Sequence, residues 1–307
     1  MTADRVHGIR ASIPAAAAAL LAVLALPGCV RRVEPGLPGR PAAESRPVVK
    51  IAPAEPPRTN DELSSRGLSG PVRTVTARSY RPSLDGSGKL ELFLRTVSSF
   101  DPGGRLVSEI QYDPEGKELT RYLPVRDRGS RLSGIESRSP SGELESRVAF
   151  EYDGSGRRVR ELYFTGDGRP AGGYLYEYGP EGRRIRKTMR TEYEDGSVRT
   201  ARTDYRYDEA GRLLEETFTD DSPGGVLLRI EHAYRDGLRV RSSDFQRGTW
   251  LEFLTFYDRD SRGNPVREAS YQIPESGYGD SFASATSESG LPKSFLSSVT
   301  ESEYEYY

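Results

Sequence analysis

Residues 152–183 read Y-D-G-S-G-R-R-V-R-E-L-Y-F-T-G-D-G-R-P-A-G-G-Y-L-Y-E-Y-G-P-E-G-R, and two features of this stretch decide the fold. The first is the corner Tyr152-Asp153-Gly154-Ser155-Gly156-Arg157, repeated as Tyr178-Gly179-Pro180-Glu181-Gly182-Arg183. Asp at the first turn position accepts a hydrogen bond from the backbone two residues on, Pro at the second has its φ pre-set, and Gly at the fourth takes a positive φ. A type I turn closed by a left-handed Gly makes a bulged hairpin whose twist suits antiparallel strands. The second feature is alternation with period two between corners, which marks strands half exposed to water.

The corner recurs as Phe100-Asp101-Pro102-Gly103-Gly104-Arg105-Leu106, Tyr112-Asp113-Pro114-Glu115-Gly116-Lys117 and Tyr207-Asp208-Glu209-Ala210-Gly211-Arg212-Leu213. Shorter copies stand at Ser139-Pro140-Ser141-Gly142, Tyr193-Glu194-Asp195-Gly196, Tyr234-Arg235-Asp236-Gly237 and Tyr257-Asp258 leading to Gly263-Asn264-Pro265. Successive corners at 152, 178, 207 and 234 lie 26, 29 and 27 residues apart with a weaker corner roughly midway, which fits two strands per interval. Between corners, Val226, Leu228, Ile230 and Tyr234 share a face opposite Arg229 and Glu231. In the same way Leu106, Ile110 and Tyr112 oppose Glu109 and Gln111, and Ile185, Met189 and Tyr193 oppose Arg184, Arg186, Arg190 and Glu192. No sustained helical period follows the first thirty residues. The expectation is an all-β chain, a long antiparallel meander of consecutive hairpins. About fourteen strands exceed what an open sheet sustains, so the sheet is expected to be curled or folded over. Tyr, Leu and Val would face inward and Arg and Glu ladders outward. Trp250, Phe253, Leu254 and Phe256 make one strand apolar on both faces, which predicts cover on both sides, and Val299–Tyr307 reads as a last, edge strand.

These corners resemble the hallmark Tyr-Asp-x-x-Gly-Arg-Leu of the YD-repeat, or RHS-repeat, family over roughly residues 70–272, and more closely the small bacterial YD-repeat lipoproteins. Those begin with a segment like Gly70-Pro71-Val72-Arg73-Thr74-Val75 and close with one like Tyr257-Asp258 followed by Arg262-Gly263-Asn264. The resemblance implies an antiparallel sheet of hairpins that curls into a shell in large members, with no catalysis by the repeats. The residues after Gln272 are too few for a separate toxic domain.

Arg5 and Arg10 precede the apolar run Ile13–Leu26, which is too short for a bilayer span and has the form of a signal-peptide core. It ends in Leu26-Pro27-Gly28-Cys29, which resembles a bacterial lipobox; Pro27 departs from the usual small residues of that position. The resemblance implies cleavage before Cys29, the single cysteine of the chain, acylation there (palmitate among the chains) and anchoring to a membrane. Val30, in place of Asp, points to the outer membrane by the sorting rule of enteric-type lipoproteins, with the domain facing periplasm or exterior. Seven prolines between residues 30 and 58 make an extended tether. The expected organisation is 1–28 signal peptide, 29–58 tether and 59–307 β domain.

Charge gives little help to catalysis or nucleic acid. With 44 basic and 46 acidic residues and a net charge of -2, the chain lacks the basic field that attracts phosphate backbones, so no nucleic-acid partner is expected. One cysteine excludes a disulfide framework, and with His232 the only histidine after the signal, no metal site, cofactor or catalytic residue is assigned. His232 falls on an apolar face and reads as a hydrogen-bonded core histidine. Asp258–Gly263 echoes a calcium loop, but Arg262 and Ala269 stand where ligands belong. The expected function is non-enzymatic: a lipid-anchored cell-envelope protein whose repeat domain is a scaffold or protein-interaction surface. The alternative is a carbohydrate or peptidoglycan binding module that stacks sugars on an exposed row of Tyr174, Tyr176 and Tyr178. Tyr304, Tyr306 and Tyr307 form a second aromatic group, read as edge packing. A hydrolase would need two carboxylates facing each other across a cleft.

Overall fold

The computed structural model describes residues 62, 66, 68–83, 85, 87–192, 198–220, 225–247, 250–274, 285 and 287–307. Cys29, the signal segment and the tether lie outside them. The strands are β1 (Val72–Pro82), β2 (Leu90–Phe100), β3 (Leu106–Tyr112), β4 (Glu118–Arg126), β5 (Leu132–Arg138), β6 (Leu144–Tyr152), β7 (Arg158–Thr165) and β8 (Pro170–Tyr178). They continue as β9 (Arg184–Glu192), β10 (Val198–Tyr207), β11 (Leu213–Asp220), β12 (Val226–Arg235), β13 (Leu238–Gln246), β14 (Trp250–Arg259), β15 (Pro265–Gln272) and β16 (Leu296–Tyr306). Each pairs with its sequence neighbour and β16 pairs with β1, so sixteen antiparallel strands close into a barrel. The meander is as expected, with two strands more than the corners had suggested. The last strand is not an edge: closure removes both edges, which is how a long sheet avoids aggregation.

The corners have the geometry their residues dictate. In Asp153–Arg157 the Asp153 amide bonds the Arg157 carbonyl at 2.9 Å, and Gly156 N–H returns to the Asp153 carbonyl at 3.0 Å. Asp153 Oδ1 accepts the amides of Ser155 and Arg157, both at 2.9 Å, and Oδ2 accepts Arg157 Nε at 2.8 Å. Gly156 has φ 79°, the left-handed region that glycine takes without strain. The Asp208–Arg212 corner repeats these bonds, and both carboxyls are held below the usual carboxylate value, Asp153 chiefly by the Arg157 backbone amide.

Most corners also flip the alternation through a bulge, which corrects three assignments of side-chain direction, the first being Val226, which pairs with Thr219 and so lies on the face opposite Leu228 and Ile230. Between β8 and β9, Glu177 pairs with Arg186 but Tyr178 with Arg184, so Ile185 is the extra residue of a bulge and is 43% exposed. Arg184, not Ile185, therefore joins Met189 on the inward face. Between β2 and β3, Val107 is the bulged residue; Glu109 and Gln111 turn inward, Glu109 accepting a bond from Ser98 Oγ at 2.8 Å, while Ile110 turns outward. Tyr112 faces outward beneath Arg95, 4.4 Å from its ring centroid, at the rim opposite the Tyr152 and Tyr178 corners. Tyr193 lies outside the described residues.

Two apolar clusters flank the closure. On the outer wall, Leu254, Phe256, Ala269, Tyr271 and Val299 are covered by Leu291, Phe295 and Ala285 of the connection between β15 and β16. Phe253, on the other face of β14, is also buried, which agrees with the reading of a strand covered on both sides; the side chain of Trp250 is not described. On the inner side, Leu68, Val72, Phe100 and Leu106 pack with Val75, Tyr304 and Tyr306. Asn264, fully buried, ties the incoming chain to this seam: its Oδ1 accepts Ser69 N–H at 2.6 Å, and its Nδ2 donates to the Ser69 carbonyl at 3.1 Å and to Tyr306 Oη at 2.9 Å.

Candidate functional site

The corner tyrosines, and Tyr304 of β16 with them, do more than mark turns. Tyr152 Oη donates to the Leu132 carbonyl at 2.5 Å, Tyr178 to Arg158 at 2.6 Å, Tyr234 to Leu213 at 2.9 Å and Tyr304 to Pro265 at 2.6 Å. Where the corner carries Arg in place of Tyr, a guanidinium serves: Arg126 Nη2 reaches the Leu106 carbonyl at 2.8 Å and Arg259 Nε that of Arg239 at 3.1 Å. The acceptor in each case is the first or second residue of the strand after the preceding corner on the same rim. The Arg of that preceding corner lies over the same ring, Arg131 over Tyr152 at 4.6 Å, Arg157 over Tyr178 at 4.9 Å and Arg212 over Tyr234 at 5.3 Å. Tyr, Asp and Arg of the motif thus form a chain of contacts around one rim, each unit holding the next.

Above that rim the inward face of β7 to β13 is polar, contrary to the expected oily interior. Glu161, 6% exposed, accepts Arg158 Nη1 at 2.7 Å and Tyr163 Oη at 2.9 Å. Burial pushes the Glu161 carboxyl up, but Arg158 and the hydroxyls of Tyr176 and Tyr163 outweigh it and hold it below its ordinary value. Burial and the nearby Glu161 charge push Tyr163 and Tyr176 up. Next along the wall, Lys187 Nζ sits 3.7 Å from the Tyr174 ring centroid, and the Arg184 guanidinium 4.5 Å from that of Tyr176 and 5.7 Å from Tyr205. Beyond them His232 makes two bonds, Nδ1 with Ser242 Oγ at 2.9 Å and Nε2 with Glu216 Oε1 at 3.1 Å, and Ser242 Oγ meets Tyr257 Oη at 3.2 Å. Asp244 is pushed up to about 7 by burial and then by Glu216 and Glu252.

Tyr174, Tyr176 and Tyr178 stand together on this wall. Tyr174 and Tyr176 are 9% and 8% exposed and carry cations on their rings, and Tyr178 spends its hydroxyl on Arg158, so the trio is not the water-exposed row that sugar stacking requires. Tyr304 and Tyr306 belong to the seam rather than to a surface patch; Tyr307 is 54% exposed. In the calcium-like loop, Asp260 gives Oδ1 to the amides of Arg262 and Asn264 and Oδ2 to Tyr306 Oη, the bonding of another corner. Arg184 was missed in the sequence because the bulge at Ile185 hides its direction, whereas Lys187 shares the face of Met189 by plain alternation and was not singled out.

The outer wall of the same strands is a charge lattice. Arg186 Nε bonds Asp204 Oδ1 at 2.8 Å, and Arg206, Glu215, Arg229 and Glu231 follow as linked ion pairs.

No family model and no curated protein matches the chain. Among solved structures, the crystal structure of TcdB2-TccC3-Cdc42 is similar at 13% identity and a TM-score of 0.31, over 60% of this chain. This chain spans 12% of the length of that one. A porin-like protein from Bacteroides uniformis ATCC 8492 is similar at 9% identity and a TM-score of 0.46, over 77% of this chain and 98% of that one.

Proposed function

We propose that this chain is a non-enzymatic, lipid-anchored cell-envelope protein of the YD-repeat type, whose closed barrel is a rigid interaction scaffold held off the membrane by a proline-rich tether. The observation that carries the scaffold reading is the rim chain: in the stapled corners the motif's Tyr, Asp and Arg are consumed in holding one unit to the next, which favours a structural role for the repeat. The outer lattice supports a barrel that stands in water, since a single outward Arg or Lys costs about 2–4 kcal/mol at a bilayer midplane and this wall carries Arg186, Arg206 and Arg229 within its strands. Membrane contact then rests on Leu26-Pro27-Gly28-Cys29, where acyl chains each contribute about 0.8 kcal/mol per buried methylene. The partner would be another envelope protein or glycan that meets the outer wall. The test is fractionation of cells that express the full chain or Cys29→Ala: the native protein should be processed and pellet with membranes, and the variant should remain unprocessed at that site and be released from the membrane once cleaved elsewhere. Identical processing and identical fractions for the two would refute the anchor.

A further inference from the structure

The inner wall holds an imbalance of charge. Arg158 is paired with Glu161, and Glu216 is hydrogen-bonded to His232. Between them, on β9, lie Arg184 and Lys187; among the described residues no carboxylate stands within ion-pair distance of either, and Glu161 and Glu216 act on Lys187 from farther away. The Arg184 Nε is buried without any hydrogen-bond acceptor. What flanks the two cations is aromatic: Tyr174 and Tyr176 from β8 and Tyr205 from β10. The Tyr205 hydroxyl bonds one edge of the Arg184 guanidinium, but ring faces attract a cation without satisfying its N–H groups, and Nε is left with none. Both side chains are only partly buried, so solvent reaches them. Burial, with the Arg184 charge adding to it, lowers the Lys187 ammonium from its ordinary value against the opposing pull of Glu161 and Glu216.

We propose that Arg184 and Lys187 are a receptor on the inner wall of the barrel for a small organic or inorganic oxyanion, a carboxylate or phosphate group. The planar guanidinium offers a two-pronged set of donors to such a group and the ammonium a point charge beside it. Tyr205 and Tyr176 wall the site, the Tyr205 hydroxyl bonded to Arg184 and the Tyr176 hydroxyl to Glu161. The binding reading is independent of the anchor and of the scaffold role.

The test is calorimetric titration of the full chain in detergent with inorganic phosphate, glucuronate and, as a neutral control, glucose. Wild type should bind phosphate, glucuronate or both, and not glucose; which anion binds more tightly assigns the source of the oxyanion. Arg184→Gln and Lys187→Met should each weaken binding about tenfold or more, the loss of one charge-assisted contact. Lys187→Arg, which keeps the charge, should stay within about threefold of wild type, well under one such contact. Absence of binding by either anion, equal binding of glucose, or unchanged affinity in both neutralised variants with intact melting transitions would overturn the proposal. If those variants do not fold, the wild type still decides: with lysines carbon-13 methylated, the Lys187 resonance should titrate at higher pH when anion is present, and an unmoved titration refutes the site.

Discussion

The hydroxyl of Tyr178 donates to the backbone carbonyl of Arg158, 2.6 Å away and 20 residues earlier in the chain, while the neighbouring Arg157 covers the same ring at 4.9 Å. One side chain thus joins two successive corners. Tyr178→Phe keeps the ring and its cation contact and deletes only the donor, so it should destabilise the barrel by about 1 kcal/mol, the typical net worth of a single hydrogen bond. Tyr152→Phe removes the equivalent bond to Leu132 and should cost about the same. Urea unfolding of the full chain measures both. A loss below experimental error in each variant would show that the rim bonds are incidental to stability.

The meander could be read from the sequence because the corner chemistry is local: Asp153, Gly156 and Arg157 satisfy one another within five residues, and nothing distant can override them. The direction of side chains could not, for a physical reason. Each bulge adds one residue to one strand, so an alternation followed across a corner arrives on the wrong face, as at Ile185 and Ile110. Closure was equally hidden, since the bonds that make it, Val75 to Tyr304 in register and Asn264 to Ser69, join residues about as far apart as the domain is long. The polar interior follows from both: once Arg184, Lys187 and Glu161 turn inward, charge rather than an oily surface faces them across the strands.

Ser130 occupies the corner position that glycine fills at 156, with φ 63°. Its amide still closes the turn on the Asp127 carbonyl at 2.9 Å, so the fold tolerates a residue that resists this conformation. A left-handed backbone costs an L-residue about 1–2 kcal/mol relative to glycine, partly offset by glycine's freedom in the unfolded chain. Ser130→Gly is therefore expected to stabilise the protein by about 0.5–1 kcal/mol, whereas Gly156→Ser should destabilise it. Opposite signs in parallel thermal melts are the expected result; equal signs would contradict the turn assignment.

Asn264 is the buried knot at the seam. Asn264→Ala leaves the Ser69 N–H and the Tyr306 hydroxyl without this partner, and a buried polar group so abandoned costs about 1–3 kcal/mol. Because the bonds lost connect the incoming chain to the closing strands, the damage should be regional. Hydrogen exchange should quicken first in β1 and β16, while β5 to β9 keep their protection. Uniform quickening around the whole barrel would mean that the seam and the remainder unfold as one unit.

Asp244 gives the barrel a specific dependence on pH. Burial, then the charges of Glu216 and Glu252, raise its carboxyl from the ordinary 3.8 to about 7, against the opposing pull of Arg239. The native protein therefore keeps this proton in a range where the unfolded chain has lost it. The stability that results is complete below 3.8, declines as the pH rises, and is lost by the time the pH has passed through about 7. Above that point the folded barrel holds an ionised carboxylate among like charges. Asp244→Asn removes the titration while keeping shape and hydrogen-bonding capacity. Its melting temperature should exceed that of wild type at pH 8 by about 2–4 °C for each kcal/mol released in a domain of this size, and the gap should close as the pH is lowered to about 4. A gap of the same size at both ends of that range would mean that Asp244 does not titrate within it, and that the acidic cluster on the inner wall is already solvated as well as it would be in water.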